Sequence, residues 1–365
     1  MPFYTQWGNI SFAQIQLLQA WFMLCNFLLE IPTGVIADKF GRKTSLVLGS
    51  MVAIIASIIY GSISNFYIFL LGELLFALAM ALISGADNAL LYDTLKETNQ
   101  EDLAPKVFGK SFGFHMAGLL FGAPIGSFIA SKFGLNFPML LMVIPFALAT
   151  IFAFKLKEIK NINISESVRY FTILKKGMSF FINNKKLSIV ILNAILIHAA
   201  SYYVIWLYQP LLMKINIPII FFGYFHAVLV GLEIIVSHNF HFIEKIFKNI
   251  KNYLIFTAIV VSLGFFIVAL YTNILTIFLF LILAGGFGLT RLTFIVAYIN
   301  KLIPTEERAT INSFISMFSS LSLVIINPLV GLLIDRTLVL SLFAISILPL
   351  IALIFFPIKN KDGIS

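Results

Sequence analysis

The sequence predicts an all-α membrane protein that crosses the bilayer about eleven times, and three observations carry that reading. Of its 365 residues, 60% are hydrophobic and only 11% charged, with mean hydropathy +1.00. Soluble domains carry about a quarter charged residues, so this chain lacks the polar surface that water requires. Apolar runs of about 20 residues, enough to cross ~30 Å of hydrocarbon, recur along the chain. The Lys and Arg residues gather in alternate loops. A soluble helical protein would also need charged stripes along its helices, and these are missing.

Taken in order, the spans fall at 15–37, 45–63, 67–92, 107–131, 137–154, 187–213, 219–242, 254–270, 274–300, 309–334 and 338–357. The first is full length and lacks a cationic start, so no cleavable signal peptide is expected. Cys25 is the single cysteine, which excludes a disulfide framework and leaves no metal-ligand cluster. Thirty-nine Phe fit lipid-facing surfaces.

The basic residues set the orientation. Lys39, Arg42, Lys43, Lys96, Lys106, Lys110, the run from Lys155 to Lys186, Lys245, Lys248, Lys251, Lys301, Arg308, Lys359 and Lys361 place twenty-one on one side. Lys132, Lys214 and Arg336 are the three on the other, and Arg291 lies within a span. This asymmetry predicts that the basic loops and the C-terminus are cytoplasmic. The net charge of +9 is thus accounted for by topology, and no nucleic-acid partner is implied.

The longest polar interruption divides the chain into a bundle over 1–155, a linker over 156–186 and a bundle over 187–365. Within the linker, Val168, Phe171, Leu174, Met178 and Phe181 repeat at helical spacing. They suggest a basic amphipathic helix on the cytoplasmic interface, with a plain linker as the alternative.

At the cytoplasmic end of the first span stands Gly34-Val-Ile-Ala-Asp38-Lys-Phe-Gly41-Arg42-Lys43. Gly34 permits close helix approach and Gly41 a tight turn. Asp38 can pair with Arg42 or sit against a helix N-terminus, while Arg42 and Lys43 anchor the loop inside. The stretch resembles the signature loop between the second and third helices of the major facilitator superfamily. Leu29-Glu30-Ile-Pro32-Thr-Gly34 precedes it as in many members, and Ser84-Gly85-Ala86-Asp87 through Tyr92-Asp93 is similar to a fourth-helix ending common in prokaryotic, multidrug-efflux-like members. Pro304-Thr305-Glu-Glu-Arg308 resembles the entry to the eleventh helix, with Thr305 as the expected N-cap. Gly331 to Arg336 resembles that helix's outer end.

The resemblance implies two bundles of six helices and transport by alternating access. It also implies a departure, because one span rather than two precedes the signature loop. The chain is therefore expected to lack the family's first helix. Gly118-x-x-x-Gly122-Ala-Pro124-Ile-Gly126 is close to the family's antiporter pattern. The second bundle keeps only a faint signature copy, with His241 at the Asp position.

Charged groups at membrane depth are costly and read as functional candidates. Counting 1.5 Å per residue from the cytoplasmic helix ends places Glu30 and His115 roughly 12 Å deep, Asp87 near 9 Å, and Glu233 and Arg291 near 14 Å. Glu73 lies nearer the outer side, on the face expected to carry Asp87. Glu30, Glu73, Asp87, His115 and Arg291 are candidates for proton coupling or the substrate path. The competing reading makes Glu30, Asp87, His115 and Arg291 paired charges that lock the helices, with Glu30 serving the backbone freed by Pro32. Small residues at four-residue spacing, Ala77 to Ala89 and Gly118, Gly122 and Gly126, are expected to form grooves for close helix contact.

The function these features support is a secondary active transporter of small molecules in the cell membrane. It would use a proton or ion gradient and no cofactor, and would export hydrophobic or amphipathic compounds as a monomer in the lipid bilayer. Uptake of a small polar solute past Gln19, Asn26, Tyr202 and Gln209 is the alternative, and a truncated, non-transporting membrane protein is another. No enzyme is expected, since no catalytic triad, metal-spaced cluster or phosphate loop is present; Gly285-Gly286-Phe-Gly288 lies in a span.

Overall fold

The computed structural model describes residues 1–159, 166–247 and 250–357, with the side chains of 166–174, 241, 250, 305 and 306 outside the description. Lys160, Lys248, Lys359 and Lys361, and the side chains of Val168, Phe171, Leu174, His241 and Thr305, therefore lie outside the described residues.

The helices are α1 (Phe12–Phe40), α2 (Arg42–Ser62), α3 (Phe66–Ile83), α4 (Ala86–Glu97), α5 (Ala104–Phe133), α6 (Phe137–Leu141), α7 (Val143–Lys155) and α8 (Glu166–Asn183). They continue with α9 (Lys185–Lys214), α10 (Phe222–His238), α11 (Phe240–Phe247), α12 (Ile250–Leu270), α13 (Ile274–Phe280), α14 (Phe287–Leu302), α15 (Thr305–Arg336) and α16 (Leu338–Phe355). Among the described residues there is no strand. Among the described residues eleven spans are long and apolar enough to cross a membrane, as the hydropathy pattern predicts. Helices suit this setting because they satisfy their own backbone polar groups where no water can.

Local sequence sets the breaks. Ser11 caps α1 by accepting from the Gln14 amide, and the Gln14 side chain returns the bond to Ser11. Pro32 sits inside α1, where the Thr33 hydroxyl donates to the Leu29 carbonyl at 2.7 Å. Gly41 ends α1 at φ 99, a conformation open to glycine and costly for residues with a Cβ. The predicted span 67–92 is broken at Ser84-Gly85, with Gly85 at φ 81, into α3 and α4. This break corrects the placement of Glu73 and Asp87 on one helical face, because counting 3.6 residues per turn does not carry across a bend. α15 has Pro304 at its N-cap, which corrects the assignment of Thr305 to that position; Thr305 is its first helical residue.

Hydrophobic burial drives little in lipid, where tails are as apolar as leucine, so close packing and internal hydrogen bonds hold such helices together. The largest buried cluster gathers Tyr203, Leu207, Phe265, Phe280 and Ala284 around α9, which is the most enclosed helix. A smaller one joins Ile15 and Leu18 of α1 to Tyr60 and Phe69. In α5 only Ser127 is buried. The linker does contain a helix, α8, which packs on α15 through Phe181 against Phe314 and Phe318.

Candidate functional site

The end of the molecule that carries Lys39, Arg42 and Lys43 is called the basic face below. At the other end, helices α1 and α15 meet tightly. The Asp335 carboxylate accepts the Phe12 and Ala13 amides at 2.8 and 3.1 Å, placing a negative charge on the N-terminus of α1. Gly331 leaves room for the backbone of Ala13. Deeper, the Tyr203 hydroxyl donates to Asn327 at 2.7 Å, which ties α9 to α15. A second seam joins α5 to α10, where Gly223 lies against the Ala123 backbone and the Ser127 hydroxyl donates to the Ile220 carbonyl at 2.9 Å.

That second seam corrects one expectation. Gly118, Gly122 and Gly126 do not form the close helix contact, since a Cβ at any of them would meet nothing within 4 Å. The intimate residue is Gly223 of the partner helix, and Ala123 and Ser127 receive it. The glycine stripe points along a different face of α5, and Pro124 lies within the helix beside it.

On the basic face, Gly41 lets the chain turn directly into α2. The Glu158 carboxylate fills the space a Cβ would need there and accepts the Arg42 and Lys43 amides at 2.9 and 3.0 Å. It thereby satisfies the otherwise orphan donors at the start of α2. The Arg42 guanidinium forms an ion pair with Asp93 of α4. Gly34 is buried, while Asp38 is exposed in the last turn of α1. The signature loop thus clamps α1, α2, α4 and the chain after α7 to one another.

Above that clamp, α1 and α15 line a cavity of about 380 Å³. Glu30, Asn26, Ser313, Ser316 and Ser320 supply its polar lining, and Phe22, Met23, Phe27 and Met317 its apolar walls. Among the described residues the Glu30 carboxylate has no hydrogen-bond or ion-pair partner, and the buried Asn26 Oδ1 is unsatisfied. A second cavity, of about 360 Å³, lies between α5, α9 and α10 and touches Tyr208, Gln209 and His226.

The other ionisable candidates do not converge on one layer. Glu73 is buried in the first bundle, where Tyr60 donates to it at 2.8 Å and Gln19 at 3.2 Å, and Tyr60 also meets the Tyr4 hydroxyl. Arg291 is fully buried in the second bundle. It donates to Asn193 at 2.7 Å and to the Leu254 carbonyl and Thr257 hydroxyl, with no ion pair among the described residues. Asp87 and His115 are exposed on α4 and α5, and Asp87 borders a basic-face hollow of about 710 Å³.

Sequence reading missed Glu158, Asn193 and the three serines of α15. The serines were findable: positions 313, 316 and 320 follow the i, i+3, i+7 pattern of one helix face. Glu158 and Asn193 carry no such signal, because each acts on a residue about a hundred positions away.

A sequence model of the Major Facilitator Superfamily matches residues 1–325. An uncharacterised MFS-type transporter of Methanocaldococcus jannaschii is 24% identical over 319 residues, covering 84% of this chain and 78% of that protein. An uncharacterised MFS-type transporter of Bacillus subtilis, YxaM, is 23% identical over 249 residues, covering 66% and 61%. Among solved structures, the nucleoside transporter NupG matches with TM-score 0.80 at 14% identity, covering 97% of this chain and 92% of its own. The POT family transporter PepTSo matches with TM-score 0.69 at 13% identity, covering 96% and 90%. At such identities the structural likeness speaks for the fold.

Proposed function

The chain belongs to the Major Facilitator Superfamily, and we propose that it is a secondary active transporter that exports hydrophobic or amphipathic compounds in exchange for protons. The observation that carries the reading is the asymmetry between its ends. The bundles are joined away from the basic face by the α1–α15 and α5–α10 seams, while α1 and α15 enclose the Glu30 cavity nearer that face. Polar ties between the halves at one end and a lined cavity nearer the other suit alternating access by rocking about a central site. The basic face is cytoplasmic in this reading.

Proton coupling is assigned to Glu73, a buried carboxylate held by a phenol and an amide without a cation. Protonation there changes the net charge of the first bundle without breaking an ion pair. The near-antiporter stretch of α5 supports exchange. In proteoliposomes, substrate leaving the lumen should acidify it and substrate entering should alkalinise it, and Glu73→Gln should abolish proton flux while leaving the protein inserted. Substrate flux without proton movement would refute the coupling.

A second reading, uptake of a small polar solute, is favoured by the serine-lined wall of the α1–α15 cavity. Solved structures of similar fold include a nucleoside and a peptide transporter. Accumulation of a polar solute by expressing cells, with unchanged drug susceptibility, would select it.

A further inference from the structure

We propose that the α1–α15 cavity is a binding site for an amphipathic organic cation, whose ammonium group is held by Glu30 and whose apolar body lies on Phe22, Met23, Phe27 and Met317. The proposal rests on the transporter reading for its physiological meaning, but the site itself is argued from its lining.

Every polar group lining the cavity can accept a hydrogen bond. Glu30 offers a carboxylate, Asn26 an amide oxygen and Ser313, Ser316 and Ser320 hydroxyls, and among the described residues no Lys, Arg or His lines the space. The carboxylate has no partner among the described residues, and Asn26 Oδ1 is buried without a donor. Buried acceptors left unmade are costly, so this set favours a ligand that brings both charge and N–H donors. An ammonium does both, and its bonds to a carboxylate are of the stronger, charge-assisted kind.

Size and walls separate an organic cation from a bare ion. A volume of about 380 Å³ falls in the range of small-molecule pockets. Phe22 offers a ring to a cation, and two methionines offer pliable apolar surface that accommodates varied shapes. An alkali ion would use none of these groups.

The test measures binding of phenethylammonium and of Na⁺ to the full chain in nanodiscs, with empty nanodiscs and the neutral 2-phenylethanol as references. Saturable binding of phenethylammonium, little of the alcohol, and a loss of about tenfold or more in Glu30→Gln are expected. Glu244→Gln, at a surface ion pair with Lys301, should bind as the parent does. Ser316→Leu keeps the carboxylate but narrows the cavity and should weaken the amine as well, which provides a result should Glu30→Gln fail to fold. Equal binding by parent and both variants, or no saturable amine binding by the parent, would overturn the proposal. Glu30-dependent binding of Na⁺ alone would also overturn it, in favour of an ion site. Amine binding without any transport would leave the site standing and remove the transporter reading; transport without amine binding would do the reverse.

Discussion

Arg291 occupies a place where hydrogen bonds alone must do what a carboxylate usually does. It is fully buried, and Asn193, Leu254 and Thr257 each offer it a neutral oxygen. Arg291→Ala would leave those acceptors orphaned beside a new cavity, and a loss on the order of 3 kcal/mol is expected in reversible unfolding in mixed micelles. Gly41→Ala meets two obstacles, a positive φ and the Glu158 carboxylate, so it should cost at least about 1–2 kcal/mol and lower the thermal midpoint. The Arg42–Asp93 pair is accessible to a double-mutant cycle with Arg42→Ala and Asp93→Ala. A coupling of about 0.5–3 kcal/mol is expected, and strictly additive losses would count against the clamp. The signature residues were legible because their chemistry is local: a turn that needs glycine, next to basic anchors. The partners that complete them were not, because Asp93 and Glu158 reach Arg42 across 51 and 116 positions.

Helices were legible in number and extent, since each span leaves an apolar run that the bilayer length fixes. Their bends were not. The Ser84-Gly85 break sits inside what hydropathy reads as one span, and the positive φ of Gly85 reveals it. Space around Gly85 is open, so Gly85→Ala should meet only the backbone cost, about 1–2 kcal/mol, or straighten the α3–α4 junction. Hydrogen-exchange protection across 83–87 would distinguish the two outcomes from no change. The α5 glycine stripe shows the opposite failure, for a small-residue pattern states that contact is possible and not which helix makes it. The linker spacing left a helix and a plain linker open, and the structure shows α8 there, seated on α15 through Phe181. Phe181→Ala should release that seat and speed proteolytic cleavage within the linker, while a rate equal to the parent would show α8 to be held by other contacts.

Across the whole molecule, the two seams join the bundles at one end and the Glu30 cavity lies between them nearer the other. The positive-inside asymmetry supplied the expected orientation, and the family resemblance supplied the expectation of two bundles. Neither disclosed which end is joined, since that depends on contacts such as Asp335 with Phe12 and Ser127 with Ile220 that join residues from opposite bundles. The account therefore stands on a reciprocal motion. Spin labels at Ser11 and Thr337 report the seam, and labels at Lys39 and Lys301 report the basic face, in a background with Cys25 replaced by Ser. Paired distances measured by electron–electron resonance in acidic and alkaline buffer should change in opposite senses, the seam lengthening as the basic face shortens. Distances that stay fixed at both ends, or that change in the same sense, would contradict it.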